Sequence, residues 1–191
     1  MILSQNEEII ARSKILALHG MSKDAWRRYS DSGHVHYLVT EAGFKYNMMD
    51  IQAALGIHQL ARVEASWQKR ESIWQRYQAA FADLPVTQPA AVESNTRHAY
   101  HLYTLLVDEK RTAVSRDDFL AGMIANKVGV GVHYLSIVEH PFYRKRFGWD
   151  VEEYPNAVCV GRQTVSLPLS PAMTEQDVED VITATRKVLK A

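Results

Sequence analysis

Cysteine is nearly absent from the sequence: Cys159 is the only one, so a disulfide within the chain is excluded. An excess of charge is absent too, because 22 basic residues balance 22 acidic residues. Proteins that bind nucleic acid or an anionic membrane surface usually carry a basic excess, so neither partner is expected. No apolar run is long enough to cross a bilayer, and "MILSQNEEII" lacks the basic start and long apolar core of a secretory signal. We therefore expect a reducing, cytoplasmic setting.

Several sequence motifs of cofactor-binding, metal-binding and catalytic sites are missing as well. The glycines of "VGVGVHYL", residues 128–135, form a bare G-x-G with no dinucleotide fingerprint and no helix start behind it. No zinc spacing and no Ser-His-Asp set can be identified. His34 and His36 lie two residues apart without a third ligand nearby in sequence, which favours loop histidines over a metal site. Cys159 falls on an apolar helical face of "NAVCVGRQ", and we interpret it as a packed core thiol rather than a nucleophile.

The first 20 residues combine a strand-like start with a helix. "MIL" is typical of the last residues of a buried strand. We therefore expect that the sequence starts inside a domain and not at its beginning. The apolar spacing in "IIARSKILALHG" predicts a helix, with Ser4 or Asn6 as its cap and Gly20 as its stop.

Residues 50–84 carry the strongest pattern in the chain. Apolar residues step by three, four and seven, and the opposite face is charged, which predicts one long amphipathic helix that Pro85 ends. A bend near Gly56 is compatible with this pattern. The run is too short and too aromatic for a coiled coil, so a core-facing or interdomain helix is favoured. The stripe consists of Leu60, Val63, Trp67, Trp74, Tyr77, Phe81 and Leu84.

From residue 98 onward, strands and helices alternate irregularly. Three strands are predicted, in "HAYHLYTLLV", "VGVGVHYL" and "TVSLPLSP". Helices are predicted after the caps Ser115 and Thr174, each with an aspartate three residues later, and a short basic helix in "HPFYRKRFG". This order indicates a small α+β unit in which helices cover one face of a mostly antiparallel sheet.

Five blocks of sequence resemble one known family. In order, they are "LALHGMSKDAWRRY", "EAGFKYNMMDIQAALGIHQL", "HAYHLYTLLVD", "VGVHYLSIVEHPFY" and "SLPLSPAMTEQDVEDVI". Together they resemble the C-terminal half of the DegT/DnrJ/EryC1/StrS aminotransferases, over essentially the whole chain. The resemblance implies the fold type I architecture, which combines α/β and α+β parts. Residues 1–49 would belong to the large cofactor domain and an active-site loop, 50–85 to a long interdomain helix, and 86–191 to a small α+β domain with a short antiparallel sheet.

The resemblance also implies the activity and its cofactor. Family members use pyridoxal phosphate to aminate keto-sugars attached to nucleotides, typically with glutamate as amino donor. Their Schiff-base lysine lies shortly before a strand like "MILS", which places it upstream of residue 1, so no residue of this chain is assigned a catalytic role. We therefore expect the chain alone to be inactive. It would be a fragment of the enzyme, a non-catalytic remnant that dimerises, or one half of a split enzyme.

Three residues are candidates for binding. In the family, the loop that matches Lys45 and Asn47 crosses a dimer interface toward the cofactor phosphate of the neighbouring subunit, which implies a homodimer or larger assembly. The alternative is that Asn47 caps the next helix and Lys45 is solvated. His133 matches a histidine implicated in the sugar substrate site; alone, it would be interpreted as a core or boundary residue. Trp26, Arg27 and Tyr37 resemble part of a covering loop, with no role assigned to any one of them.

Overall fold

The computed structural model describes residues 2–22 and 38–189 and divides the chain into two compact units, Met1–Ala61 and Arg62–Ala191. His34, His36, Trp26, Arg27 and Tyr37 lie outside the described residues. Within the described ranges, no helix combines the length and the apolar character needed to cross a membrane.

The described residues of the first unit contain two helices. Helix α1 spans Glu7–Ala17, and its cap is Asn6, whose side chain accepts from the backbone N–H groups of Glu8 and Ile9. This settles the choice between Ser4 and Asn6. The helix stops just before two residues of positive φ, His19 and Gly20. Helix α2 spans Asp50–Ala61.

The second unit places helices around a two-stranded sheet. Strand β1 (Tyr103–Leu106) pairs antiparallel with β2 (Thr164–Leu167), with Tyr103 opposite Leu167. The mixed architecture with a short antiparallel sheet confirms the predicted fold class. The helices are α3 (Val63–Ala80), α4 (Glu109–Thr112), α5 (Arg116–Ala125), α6 (Pro141–Phe147), α7 (Pro155–Gln163) and α8 (Glu175–Val188), with short 3-10 turns at Ile137–Glu139 and Val151–Glu153.

The core of the second unit lies where α3, α5 and α8 pack with the sheet. Apolar residues at helical spacing bring one face of each helix inward. Tyr77, Tyr103, Phe119 and Val178 are completely buried there. The caps Ser115 and Thr174 are confirmed, and Thr174 and Asp177 form a reciprocal capping box.

Ion pairs tie α8 to α3 and to the residues just after α3. Arg186 donates to both carboxylate oxygens of Asp83, at 2.8 and 2.7 Å. These hydrogen bonds hold the pKa of Asp83 at about 2. Arg76 pairs with Glu175 and Glu179. Because all these carboxylates are solvent-exposed, the pairs fix the register of α8 more than they add to stability.

The structure corrects the single helix predicted over 50–84. The helix is interrupted at Arg62, not bent at Gly56, and α3 ends at Ala80. The predicted apolar stripe is buried from Trp74 onward, but Leu60 and Val63 are 66% and 54% exposed. The apolar spacing is helical as predicted, but it does not reveal where the core that receives the stripe ends.

Two other predictions are wrong. Cys159 is exposed, not packed in the core. Helix α7 buries Val158 and Gly161 instead, and Cys159 follows Val158 on the outward side. The strand predicted over 128–135 is reduced to one isolated bridge, between Gly131 and Ser166.

Candidate functional site

The segment that carries Lys45 and Asn47 is fastened to the end of α1. The backbone N–H of Phe44 donates to the carbonyl of Leu16 at 2.7 Å, and its carbonyl accepts from the N–H of His19 at 2.8 Å. Lys45 itself is bridged to Leu18 in antiparallel fashion. The backbone at Lys45 is thus positioned by secondary-structure hydrogen bonds, although the residue is formally in a loop.

Two glycines make this close approach possible. A Cβ added to Gly43 would overlap the backbone nitrogen of Gly20 and would lie 2.6 Å from the carbonyl carbon of His19. A Cβ at Gly20 would overlap the backbone carbonyl of Glu41, and Gly20 has a φ of +70°. Because backbone atoms cannot rotate away as side chains can, both positions require glycine.

Replacing Gly43 with alanine should therefore weaken the backbone hydrogen bonds that hold the segment around Lys45 against the end of α1. We expect Gly43→Ala to destabilise the first unit by about 1–3 kcal/mol, the range for inserting a methyl group into tightly packed structure. Gly56→Ala is the matched control: its added Cβ meets no atom within 4 Å, and alanine in a helix should stabilise by about 0.5–1 kcal/mol. Amide hydrogen exchange at His19, Phe44 and Tyr46 measures the effect. Equal protection in the two variants would contradict this description of the glycine pair.

Lys45 and Asn47 are in direct contact. The Lys45 ammonium Nζ donates to Asn47 Oδ1 at 2.6 Å. Lys45 is exposed and Asn47 half-buried. With Oδ1 occupied by the lysine, the amide Nδ2 of Asn47 keeps its two donors. An ammonium and an adjacent carboxamide N–H are suited to a phosphate or another anionic group.

The start of α2 is capped without Asn47. The carbonyl of Met49 accepts the first bond of the helix, from Ala53 at 2.9 Å, which makes Met49 the N-cap. The backbone N–H of Met49 donates to Gln52 Oε1 at 3.0 Å. Asn47 lies two residues before this cap, and its carboxamide oxygen accepts from Lys45. The hydrogen-bond partner of the Asn47 side chain is therefore Lys45 and not the start of the helix.

His133 lies in the second unit, beside β2. Its Nδ1 is 2.9 Å from the hydroxyl Oγ of Ser166, and the ring is half-buried. A Cβ added to Gly131 would lie 2.9 Å from His133 Cε1, so the glycine leaves room for the ring to lie over the backbone. Ser166 was missed by sequence reasoning, because a serine within a short strand carries no signal of its own.

The structure thus brings Lys45 and Asn47 together in the first unit and places His133 in the second. Among the described residues, no group of three or more His, Cys, Asp or Glu side chains is arranged to hold a metal ion. The donors present at Lys45 and Asn47 instead match an anionic ligand.

Comparison with known proteins gives one consistent family. A profile of the DegT/DnrJ/EryC1/StrS aminotransferase family matches residues 1–186. Spore coat polysaccharide biosynthesis protein SpsC of Bacillus subtilis is 43% identical over 191 residues, which are 100% of this chain and 49% of that protein. Protein MJ1066 of Methanocaldococcus jannaschii is 42% identical over 189 residues, covering 99% of this chain and 49% of the relative.

Solved structures agree with these relatives. The putative sugar aminotransferase Spr1654 of Streptococcus pneumoniae, in its PMP form, superposes with a TM-score of 0.84 at 27% identity, covering 98% of this chain and 46% of that one. PseC of Helicobacter pylori, at 23% identity and a TM-score of 0.82, shares the fold over 98% of this chain and 47% of its own. The chain spans about half the length of the proteins it matches.

Proposed function

Because this chain belongs to the DegT/DnrJ/EryC1/StrS aminotransferase family, we propose that it forms the C-terminal half of an enzyme that aminates a nucleotide-linked keto-sugar. The family is pyridoxal-phosphate-dependent, and a PLP form of Spr1654 is among the similar structures. The observation that carries the proposal is the family match over 1–186, which includes the segment where Lys45 contacts Asn47.

Lys45 and Asn47 would hold the phosphate of the cofactor. Pyridoxal phosphate, when bound, supplies the electron sink for amino-group transfer. The contribution of this chain is to bind and orient. The Lys45 ammonium offers a charge-assisted hydrogen bond, and the Asn47 amide offers a neutral one beside it. The hydrogen bonds that fasten Phe44 to Leu16 and His19 hold the backbone of this anion site in place.

The proposed phosphate site is completed by a second subunit. This is supported by the apolar surface of the first unit, where several large side chains are more than half exposed. Large exposed apolar side chains concentrated in one segment of a chain favour an interaction site. We propose that it contacts a second copy and brings Lys45 toward the partner's cofactor. The exposed residues are Phe44, Tyr46, Met48, Met49, Ile51, Leu55, Ile57 and Leu60.

His133 would contact the sugar substrate. Its Nδ1 is engaged by Ser166, which leaves Nε2 as the ring nitrogen for a ligand. Imidazole can form hydrogen bonds with sugar hydroxyl and phosphate oxygens near neutral pH.

Loss of the Lys45 ammonium should weaken cofactor binding. The experiment uses a chimera in which the half of the Bacillus relative not matched by this chain is joined ahead of residue 1. In that chimera, Lys45→Ala should reduce cofactor affinity by about 1–3 kcal/mol, the scale of one hydrogen bond to a charged group. Asn47→Ala should cost less, because its donor is neutral. Cofactor titration measures both.

Lys110→Ala serves as the control for removing a lysine that is also exposed. It should leave cofactor affinity unchanged. If Lys45→Ala also leaves cofactor affinity unchanged, while Asn47→Ala lowers only thermal stability, the phosphate assignment is wrong.

A further inference from the structure

The hydrogen bond between Ser166 and His133 bears on which ring nitrogen of His133 carries the proton. Ser166 lies in the middle of β2 and is only 4% exposed. Its backbone is fully engaged with Gly131: the N–H of Ser166 donates to the Gly131 carbonyl at 2.7 Å, and its carbonyl accepts from the Gly131 N–H at 3.1 Å. The hydroxyl is therefore held on a rigid, paired backbone, and His133 contacts it at 2.9 Å.

The two possible directions of this hydrogen bond differ in cost. Within the described part of the chain, His133 Nδ1 is the one hydrogen-bond partner of Ser166 Oγ. If Nδ1 carried the proton, Oγ would accept, and the hydroxyl hydrogen would be buried without an acceptor. A buried unsatisfied donor costs free energy, whereas a hydroxyl that donates satisfies both groups. The favoured arrangement therefore has Oγ–H donating to an unprotonated Nδ1.

Gly131 leaves the space that the ring needs in this arrangement. The His133 ring lies so close to Gly131 that an added Cβ would be 2.9 Å from Cε1 and 3.4 Å from Nδ1. The ring also meets the neighbouring Tyr134 ring edge to face, with centroids 4.8 Å apart. The ring thus packs against the bare backbone of Gly131, with Nδ1 within hydrogen-bond distance of the hydroxyl.

We propose that Ser166 is the positioning residue for His133 and holds the neutral imidazole as the Nε2–H tautomer. His133 then presents a hydrogen-bond donor, suited to a hydroxyl, carbonyl or phosphate oxygen of the ligand, and not a proton-accepting base. The second part of this inference rests on the proposed function, in which His133 contacts the substrate. The first part concerns the ring alone and stands independently of catalysis.

The tautomer is measured directly by nitrogen NMR of the His133 ring in the 191-residue chain, at a pH where the imidazole is neutral. We expect the chemical shift of Nδ1 to be that of an unprotonated, hydrogen-bonded nitrogen, and the chemical shift of Nε2 to be that of a protonated nitrogen. Ser166→Ala should shift Nδ1 toward the average of a freely exchanging ring, and Ser166→Thr should restore the original shift. An Nδ1–H tautomer in the unaltered chain, or an unchanged spectrum in Ser166→Ala, would overturn the proposal.

Gly131→Ala tests the same contact but keeps the Ser166 hydroxyl, because the added methyl group displaces the His133 ring. It should change the Nδ1 chemical shift in the same direction as Ser166→Ala. Ser136→Ala, which removes another buried serine hydroxyl, should leave the His133 resonances in place. In the chimera, Ser166→Ala should raise KM for the keto-sugar nucleotide several-fold, with a smaller change in kcat. If the NMR result holds while His133→Ala leaves KM unchanged, the positioning role stands and the substrate role of His133 is wrong.

Discussion

The 191 residues purified alone should give no transaminase turnover with pyridoxal phosphate, glutamate and a keto-sugar nucleotide. The family resemblance implies that the lysine that bonds to the cofactor lies in the half of the relatives that this chain does not match. Lys45 is engaged with Asn47, and we assign it to the phosphate, not to covalent chemistry. Losing a covalent catalytic group removes far more rate than any single binding contact.

The chimera is the positive control for this experiment, and both proteins are assayed at equal concentration. We expect turnover in the chimera and none above the protein-free rate in the 191 residues alone. Turnover by the chain alone, with the cofactor trapped by borohydride on one specific lysine, would show that this chain contains its own nucleophile. Absence of turnover in both proteins would count against the aminotransferase proposal itself.

Truncation of Tyr77 to alanine should cause a large loss of stability in the second unit. The side chain is completely buried on α3. Its ring stacks on Phe81 with centroids 5.6 Å apart and meets Tyr103 edge to face at 5.1 Å. The phenol donates to the Pro168 carbonyl at 3.0 Å, and burial raises the pKa of Tyr77, so this donor keeps its proton.

Tyr77→Ala should lower the free energy of unfolding by about 3–5 kcal/mol, the cost of deleting a large aromatic side chain from a core. Tyr77→Phe removes only the phenolic hydroxyl and should cost about 0.5–1.5 kcal/mol. Tyr134→Ala is the control, because that tyrosine is 75% exposed; it should stay within about 0.5 kcal/mol of the unaltered chain. Urea denaturation gives all three values. A Tyr77→Ala effect as small as that of Tyr134→Ala would refute the assigned core.

Features that depend on neighbouring residues in sequence were predicted well. The caps Ser115 and Thr174 were identified because a capping side chain and its partner lie only three residues apart. Trp74, Tyr77 and Phe81 were predicted to share the apolar face of a core-facing or interdomain helix because helical spacing puts them on one side. Local chemistry is sufficient to predict the caps, whereas helical spacing predicts the shared face but not how much of it is buried.

Features that depend on which face of a helix packs against the rest of the protein could not be predicted in the same way. The burial of Cys159 was predicted from apolar neighbours on α7, but the face of α7 that packs inward is set by Val158 and Gly161. A Cβ at Gly161 would lie 2.6 Å from the backbone nitrogen of Ser136, a contact between residues 25 positions apart in sequence. The exposure of Leu60 likewise depends on the extent of the core and not on its own spacing.

The candidate site residues also include one contact that is local in sequence and one that is not. Lys45 and Asn47 are two residues apart, and their contact is local, so a sequence motif could point to both. Ser166 is 33 residues from His133 and meets it only because Gly131 pairs with β2. No periodicity or motif signals that contact, which is visible only once the strand register is known.

Assembly of the phosphate site from two subunits is tested most directly by mixing two defective chimeras. One carries Lys45→Ala, and the other lacks the cofactor-bonding lysine of the joined segment; they are co-expressed and assayed at limiting cofactor. If Lys45 acts on the neighbouring subunit, mixed dimers contain one site with both groups intact, and turnover should exceed that of either chimera alone. Turnover no higher than the average of the two separate chimeras would contradict the account.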